Sequence, residues 1–331
     1  MATVFATLVA VILSFATAWA YALVLYWADR HEKEPKRLLL GLFLWGSTFA
    51  IVGAIFFSHT LDAGIGHFIA SVPARRWLRL TFTAPVVEES MKGLALLLLF
   101  LFQREEVDSL FDGLIYGALV GLGFEAVENA LYIHRAFTQG GWADFSAVLV
   151  LRLGFFGFTH AFYTALTGLG MAFAWLNARQ VWAWVAVPIG WLLAVTAHSL
   201  HNAAMSSSSV GCLFGALVDW AGFWALAAIA LYALRREQRW LREYLREEVV
   251  RGVITEAHYA TACSLQRRAQ AIRQARRRGE VEPTARFYAL LTKLAFLKAR
   301  TQHNSLAAQR HALMERLRQE LAQLAPQAET A

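Results

Sequence analysis

The sequence predicts an all-α, polytopic transmembrane helical bundle of about seven helices, followed by a C-terminal cytoplasmic helical region. Three observations predict it. Of the 331 residues, 57% are hydrophobic, against roughly 45–50% in an ordinary soluble domain. The excess lies in long, nearly uncharged runs before about residue 235, and the rest reads as an ordinary charged chain. The runs are long enough to cross a bilayer as helices. These two composition classes divide the chain into a transmembrane domain, 1–234, and a basic helical cytoplasmic tail, 235–331.

The first run has no positively charged start and continues to Trp27, so it reads as a spanning helix rather than a cleaved signal. The charged segment ADRHEKEPKR follows it. Further spans are expected at 38–58, 81–102, 110–134, 146–174, 181–205 and 212–234. Arg30, Lys33, Lys36 and Arg37 in the first loop and Arg235 and Arg236 after the last span set the orientation: N-terminus outside, C-terminus cytoplasmic, as in a multi-pass cell (inner) membrane protein. Arg75, Arg76 and Arg79 in the second loop run against that assignment.

The tail is rich in Ala, Leu, Arg, Gln and Glu, which favours helix. Leu313, Leu317, Leu321 and Leu324 recur at helical spacing, and RRRGEVEP interrupts the pattern near Gly279 and Pro283. Three or so helices are expected there. The net charge of +7 comes mostly from this tail. Basic residues beside a membrane span stay cytoplasmic and meet anionic lipid, so no nucleic acid is expected as a partner. Cys212 and Cys263 make neither a disulfide framework nor a zinc ribbon. A metal would need histidine and carboxylate ligands.

Ionisable residues inside a membrane are costly and need a reason. Here they come in four clusters. EESMK supplies Glu88, Glu89 and Lys92. Lys92 lies one turn from either carboxylate, and adjacent carboxylates face different ways, so the two glutamates need different partners. A carboxylate between burial and a cation suits a general base for water; a structural ion pair between helices would use the same residues. FEAVEN places Glu125, Glu128 and Asn129 on one helix face. Gly113, Gly117 and Gly121 precede Glu125 on that face, a stripe that reads as close helix packing. GFFGFTHAFYT sets His160 near the middle of the 146–174 span, with Thr164 and Gly168 continuing its face. A lone histidine there reads as a core residue or a functional one. AHSLHN brings His198, His201 and Asn202 to one face, a spacing that can hold a metal. With the orientation above, all four clusters fall at mid-depth or in the outer half of the bilayer. One polar cavity opening outward explains that; independent ion pairs do not.

These motifs, in this order, resemble the PrsW family of intramembrane proteases, part of the broader group with the CAAX prenyl endopeptidases and bacteriocin-processing proteins. The resemblance runs from the charged DRHEKEP loop to about residue 205. EESMK is similar to the family's EExxK, FEAVEN to its FExxEN, His160 to its lone histidine and His198 to Asn202 to its HxxxN. Lys92 stands where CAAX endopeptidases carry arginine, which favours the PrsW branch.

The resemblance implies an intramembrane endopeptidase that cleaves a membrane-anchored, anti-sigma-factor-like protein in the extracytoplasmic half of the bilayer. Glu88, Glu89, His160, His198 and Asn202 are then the catalytic candidates, and Lys92, Glu125, Glu128, Asn129 and His201 support them. Zn2+ held by His160, His198 and Glu125 is one form of the mechanism; a metal-free glutamate mechanism is the other. Two other readings use the same residues: an ion-coupled transporter, and a non-catalytic membrane binding or signalling protein. No repeat relates the two halves, and the polar residues do not form a continuous path across the bilayer, which speaks against a transporter.

Overall fold

The computed structural model describes residues 1–29, 34–207, 209–302 and 307–328, and these residues are helical with no strand among them. Arg30 and Lys33, used above for orientation, lie outside the described residues. In chain order the helices are α1 (Ala2–Ala28), α2 (Lys36–Trp45), α3 (Ile51–Gly66), α4 (Val72–Leu78), α5 (Ala84–Phe102), α6 (Leu110–Leu149), α7 (Thr159–Leu176), α8 (Ala186–Met205), α9 (Ser209–Val250), α10 (Glu256–Ala262), α11 (Leu265–Arg278), α12 (Val281–Gln302) and α13 (Ala307–Ala328). Three π-helical turns join neighbouring helices: Gly46–Ala50, Arg79–Thr83 and Val150–Phe155.

Among the described residues, five stretches are long and apolar enough to cross a membrane: Ala2–Ala28, Lys36–Gly66, Leu110–Leu176, Val181–Met205 and Val210–Val250. About seven are expected from the sequence, and the two counts part at α5 and at Leu110–Leu176. α5 carries Glu88, Glu89 and Lys92, so its composition is less apolar than its neighbours'. The 67 residues of Leu110–Leu176 would measure roughly 100 Å as one straight helix, about three times the hydrocarbon thickness. The chain instead breaks at Gly141, whose φ of 72° and ψ of −154° lie outside helical space. Glycine alone adopts that conformation without a Cβ penalty.

α6 is the buried centre of the first compact unit, which comprises residues 1–27 and 34–230. Its start is fixed by a capping box. Ser109 Oγ accepts from the Phe111 and Asp112 amides at 3.0 and 3.3 Å, and Asp112 Oδ2 accepts the Ser109 amide at 2.7 Å. Tyr116, one turn on, donates its hydroxyl to Glu34 and to the Glu106 carbonyl.

The glycine stripe of α6 faces α7. A Cβ on Gly117 would overlap the Thr164 carbonyl, and one on Gly121 the His160 carbonyl. The two backbones therefore touch, as small residues allow in membrane bundles. On another face, Gly123 meets the Phe43 carbonyl of α2 in the same way.

The second unit contains the described residues from Leu231 onward, together with Ala28 and Asp29. Leu241, Leu245, Phe287, Leu291, Leu294 and Leu321 are fully buried in its core. Glu248 sits within it and is satisfied three ways: Lys298 Nζ donates at 2.7 Å, and Arg318 donates through Nε at 2.8 Å and Nη2 at 2.7 Å. α11 ends on Gly279 at φ 78°, the left-handed cap that the sequence break marks. Of the leucine repeat in α13, Leu317 and Leu321 are buried, Leu324 packs against the core, and Leu313 is exposed.

The close approach of α6 and α7 makes a direct prediction. Gly121→Val forces a side chain into the His160 carbonyl, an overpacking that costs about 1–3 kcal/mol or more. Thermal unfolding in detergent should show a lower midpoint and less folded protein. Gly41→Ala, which meets nothing within 4 Å, should leave the midpoint unchanged.

Candidate functional site

The site begins on α5. Consecutive helical residues point about 100° apart, so Glu89 and Glu88 face different surroundings. Glu89 turns inward, fully buried, and Lys92 Nζ donates to its Oε1 at 2.6 Å; neither side chain has any exposure. His198 Nδ1 lies 3.0 Å from the same oxygen, and Thr164 Oγ1 donates to Oε2 at 3.1 Å. An isolated buried carboxylate is costly, whereas this one has a cation and two further donors.

Lys92 also approaches His160 Nδ1 at 2.8 Å and lies 4.2 Å from the centroid of the Phe124 ring. An ammonium can only donate. His160 Nδ1 is therefore the acceptor, and its Nε2–H donates to Glu128 Oε2 at 3.0 Å. His198 has the opposite tautomer. Its Nδ1–H points at Glu89, and its Nε2 lone pair faces Glu88 Oε2 at 3.8 Å. The two imidazoles stand perpendicular with centroids 4.9 Å apart. Glu88 is less buried than Glu89, with 14% of its side chain exposed. Its Oε2 is buried and has no hydrogen-bond partner among the described residues. One ligand atom each from Glu88, His160 and His198 lie within 4.8 Å of one another. Two imidazoles and a carboxylate form a set that holds zinc with a position left open.

The expectation for His160 needs correcting. The 146–174 stretch is not one helix: a π turn at Val150–Phe155 and a break at residues 156–158 precede α7. His160 is thus in the first turn of α7, where the amides have no partners within the helix. Glu125 supplies one. Its Oε2 accepts the His160 amide at 3.1 Å, and its Oε1 accepts the Thr159 hydroxyl at 3.2 Å. A carboxylate at a helix N-terminus also meets the positive end of the dipole. Glu125, expected as a metal ligand, thus holds the start of α7, and the three residues whose ligand atoms lie together are Glu88, His160 and His198.

Glu128 and Asn129 share one partner. Arg152 Nη1 donates to Glu128 Oε2 at 2.8 Å and to Asn129 Oδ1 at 3.1 Å, and its guanidinium lies 3.8 Å from the Tyr132 ring centroid.

Two residues of the fourth cluster point elsewhere. Asn202 Nδ2 donates to the Leu80 carbonyl at 2.9 Å. Leu80 lies in the π turn Arg79–Thr83, where the wider helix leaves carbonyls available to side chains. His201 Nδ1 lies 2.6 Å from Asp219 Oδ2.

A family model described as "PrsW family intramembrane metalloprotease" matches residues 34–234. The chain belongs to the PrsW family. It is a membrane-embedded, multi-pass protease that acts on a membrane protein. Curated relatives agree with this. The chain is similar to Protease PrsW of Geobacillus kaustophilus (strain HTA426), 27% identical over 236 residues, covering 70% of this chain and 92% of the relative. It is similar to Protease PrsW of Oceanobacillus iheyensis, 26% identical over 194 residues, covering 58% of this chain and 81% of the relative. It is also similar to Protease PrsW of Bacillus subtilis (strain 168), 30% identical over 111 residues, covering 33% and 46%. No solved structure gives a significant match.

The site includes two ionisable residues that no spacing pattern in the sequence marks. Arg152 and Asp219 each stand alone in an apolar run, without a second polar residue at helical spacing to mark them. The signal was nonetheless present, since any charge inside a span requires a partner. Thr164 was placed on the His160 face, but its bond to Glu89 depends on how α7 packs on α5.

The Glu89–Lys92 pair gives a stability prediction. Lys92→Met leaves a buried carboxylate without its cation, which costs roughly 3–5 kcal/mol. Denaturation of the purified variant should show that loss, with Lys92→Arg closer to wild type.

Proposed function

We propose that Glu88, His160 and His198 form the hydrolytic centre of this protease, with Glu89 and Lys92 holding them in place. The observation that supports this most directly is the asymmetry of the two glutamates. Glu89 is satisfied by Lys92, His198 and Thr164, whereas Glu88 Oε2 has no hydrogen-bond partner among the described residues and lies 3.8 Å from His198 Nε2.

In the metal-free form of the reaction Glu88 takes a proton from water, and the water oxygen bonds to the scissile carbonyl carbon. The carbonyl π electrons move to oxygen. When they return, the C–N bond breaks and the proton held on Glu88 passes to the leaving nitrogen. Glu89 fixes the His198 ring by accepting from Nδ1, which leaves Nε2 facing the reacting atoms. Glu128 and Lys92 fix His160 from its two nitrogens. Asn202 keeps α8 in register with the π turn at Leu80, and a hydrogen-bond role toward the carbonyl oxygen would require it to leave that partner.

The donor set fits zinc: a partnerless carboxylate oxygen lies beside two imidazoles, one of them oriented through a carboxylate on its other nitrogen. Glu88 and His198 Nε2 would hold the ion together with His160, which would have to give up its hydrogen bond to Lys92 or to Glu128; when bound, the ion supplies an acidified water and a Lewis acid for the carbonyl.

The membrane arrangement we propose has seven crossings, counting α5 and two within Leu110–Leu176. The N-terminus is outside and the basic helical tail, 235–331, is cytoplasmic. In that orientation the site lies toward the extracytoplasmic half of the bilayer, where it would cleave a membrane-anchored protein of the anti-sigma-factor kind.

Metal analysis of the purified protein tests the zinc assignment. About one zinc per chain is expected, with loss in both His160→Ala and His198→Ala. A folded, cleaving protein without zinc would exclude the zinc form and leave the metal-free glutamate mechanism.

A further inference from the structure

Asp219 lies on α9, outside every motif that marks the active site, yet it is fully buried. Its two oxygens serve two different helices. Tyr163 of α7 donates its hydroxyl to Oδ1 at 2.8 Å, and Nδ1 of His201 on α8 lies 2.6 Å from Oδ2. Tyr163 is three residues after His160, and His201 is three residues after His198. At that spacing each lies one turn along the helix from the active-site histidine, on the same side. One carboxylate therefore ties together equivalent positions on the two helices that carry the histidine pair.

The tie extends to the rings. Tyr163 stacks on His198 with centroids 5.1 Å apart and planes 15° apart, and it meets His160 edge-on at 5.7 Å and 76°. The phenol thus lies against both imidazoles, and Asp219 holds its far end. Glu89 fixes His198 from one nitrogen, but a single hydrogen bond leaves the ring free to rock about that contact. The stacked phenol removes this freedom. The ring plane of His198 and its separation from His160 are therefore set in part by a residue that touches neither.

We propose that Asp219 is a positioning residue for hydrolysis. Through Tyr163 and His201 it fixes the register of α7 against α8, and so the geometry of the histidine pair. The proposal rests on Glu88, His160 and His198 being the hydrolytic centre. The competing possibility is that Asp219 only fastens α9 to the bundle, which would affect stability and nothing else.

The test uses the full-length protein in proteoliposomes with a membrane-anchored peptide substrate. Asp219→Ala, Asp219→Asn, Tyr163→Phe and the Asp219→Ala/Tyr163→Phe double variant are compared for kcat, KM, thermal midpoint and Zn2+ affinity by chelator competition. Residues that orient ligands typically alter affinity or activity by about 10–100-fold. Asp219→Ala should lower kcat by about that factor with KM within about twofold. Zn2+ affinity should fall with kcat. Asp219→Asn, whose Oδ1 can still accept from Tyr163, should recover most of the loss. Tyr163→Phe should have almost no further effect once Asp219 is alanine.

A lower thermal midpoint with wild-type kcat and Zn2+ affinity in Asp219→Ala would overturn the proposal, as would additive effects in the double variant. Glu88→Gln is run alongside. If it abolishes cleavage while Asp219→Ala does not alter kcat, the positioning role fails and the centre stands. If Glu88→Gln cleaves normally, the assignment of the centre itself has failed.

Discussion

The candidate site depends on one constraint: a lysine and a glutamate that are both fully buried. Neither Lys92 nor Glu89 has any exposure, and their contact is 2.6 Å. In a membrane bundle neither charge can remain without partners. The surrounding side chains follow from that requirement. Glu89 needs further donors and takes them from α7 and α8, through Thr164 and His198. Lys92 needs an acceptor beyond Glu89 and finds it at His160. Satisfying the pair therefore draws both histidines to one place and assigns each its tautomer. Glu88, one residue earlier, has an oxygen with no hydrogen-bond partner among the described residues.

The backbone makes this possible by removing obstacles. α6 approaches α7 at glycines, so the helix bearing Glu125 and Glu128 lies directly against the one bearing His160. α7 begins at the site rather than passing through it, which exposes an amide that Glu125 can accept. A helix end inside a membrane is tolerated only where protein satisfies it. The break that places His160 at that end thus requires a carboxylate beside it. Arg152, in the π turn just before the break, holds the next carboxylate along.

Much of this was legible in the sequence, because membrane burial makes polar residues conspicuous. The helical class followed from the apolar runs, and the four polar clusters followed from charge where charge is costly. The i, i+3, i+4 spacing correctly put Glu125, Glu128 and Asn129 on one face, yet they divide between two partners: the start of α7 and Arg152. The division of labour between Glu88 and Glu89 was not legible. Both lie within a turn of Lys92, and which one pairs with it depends on where α7 and α8 pack. The π turns were invisible as well, since a π insertion leaves hydrophobic periodicity almost unchanged over a few residues. That is why His160 was read as mid-helix and why the Asn202 partner, a backbone carbonyl at Leu80, had no sequence signal. Arg152 and Asp219 carry no spacing signal, because each is a lone charge in an apolar run.

The central claim is that two neighbouring glutamates have opposite duties, Glu89 to hold the structure and Glu88 to carry the chemistry. The most direct measurement compares Glu88→Gln with Glu89→Gln in the same membrane, for unfolding and for cleavage of an anchored substrate. Glu88→Gln should abolish cleavage while unfolding as wild type does. Glu89→Gln should unfold more easily, because Lys92 loses its counter-charge, and its cleavage should fall with its folded fraction. A Glu89→Gln protein of normal stability with no cleavage, beside a Glu88→Gln protein that still cleaves, would contradict the account.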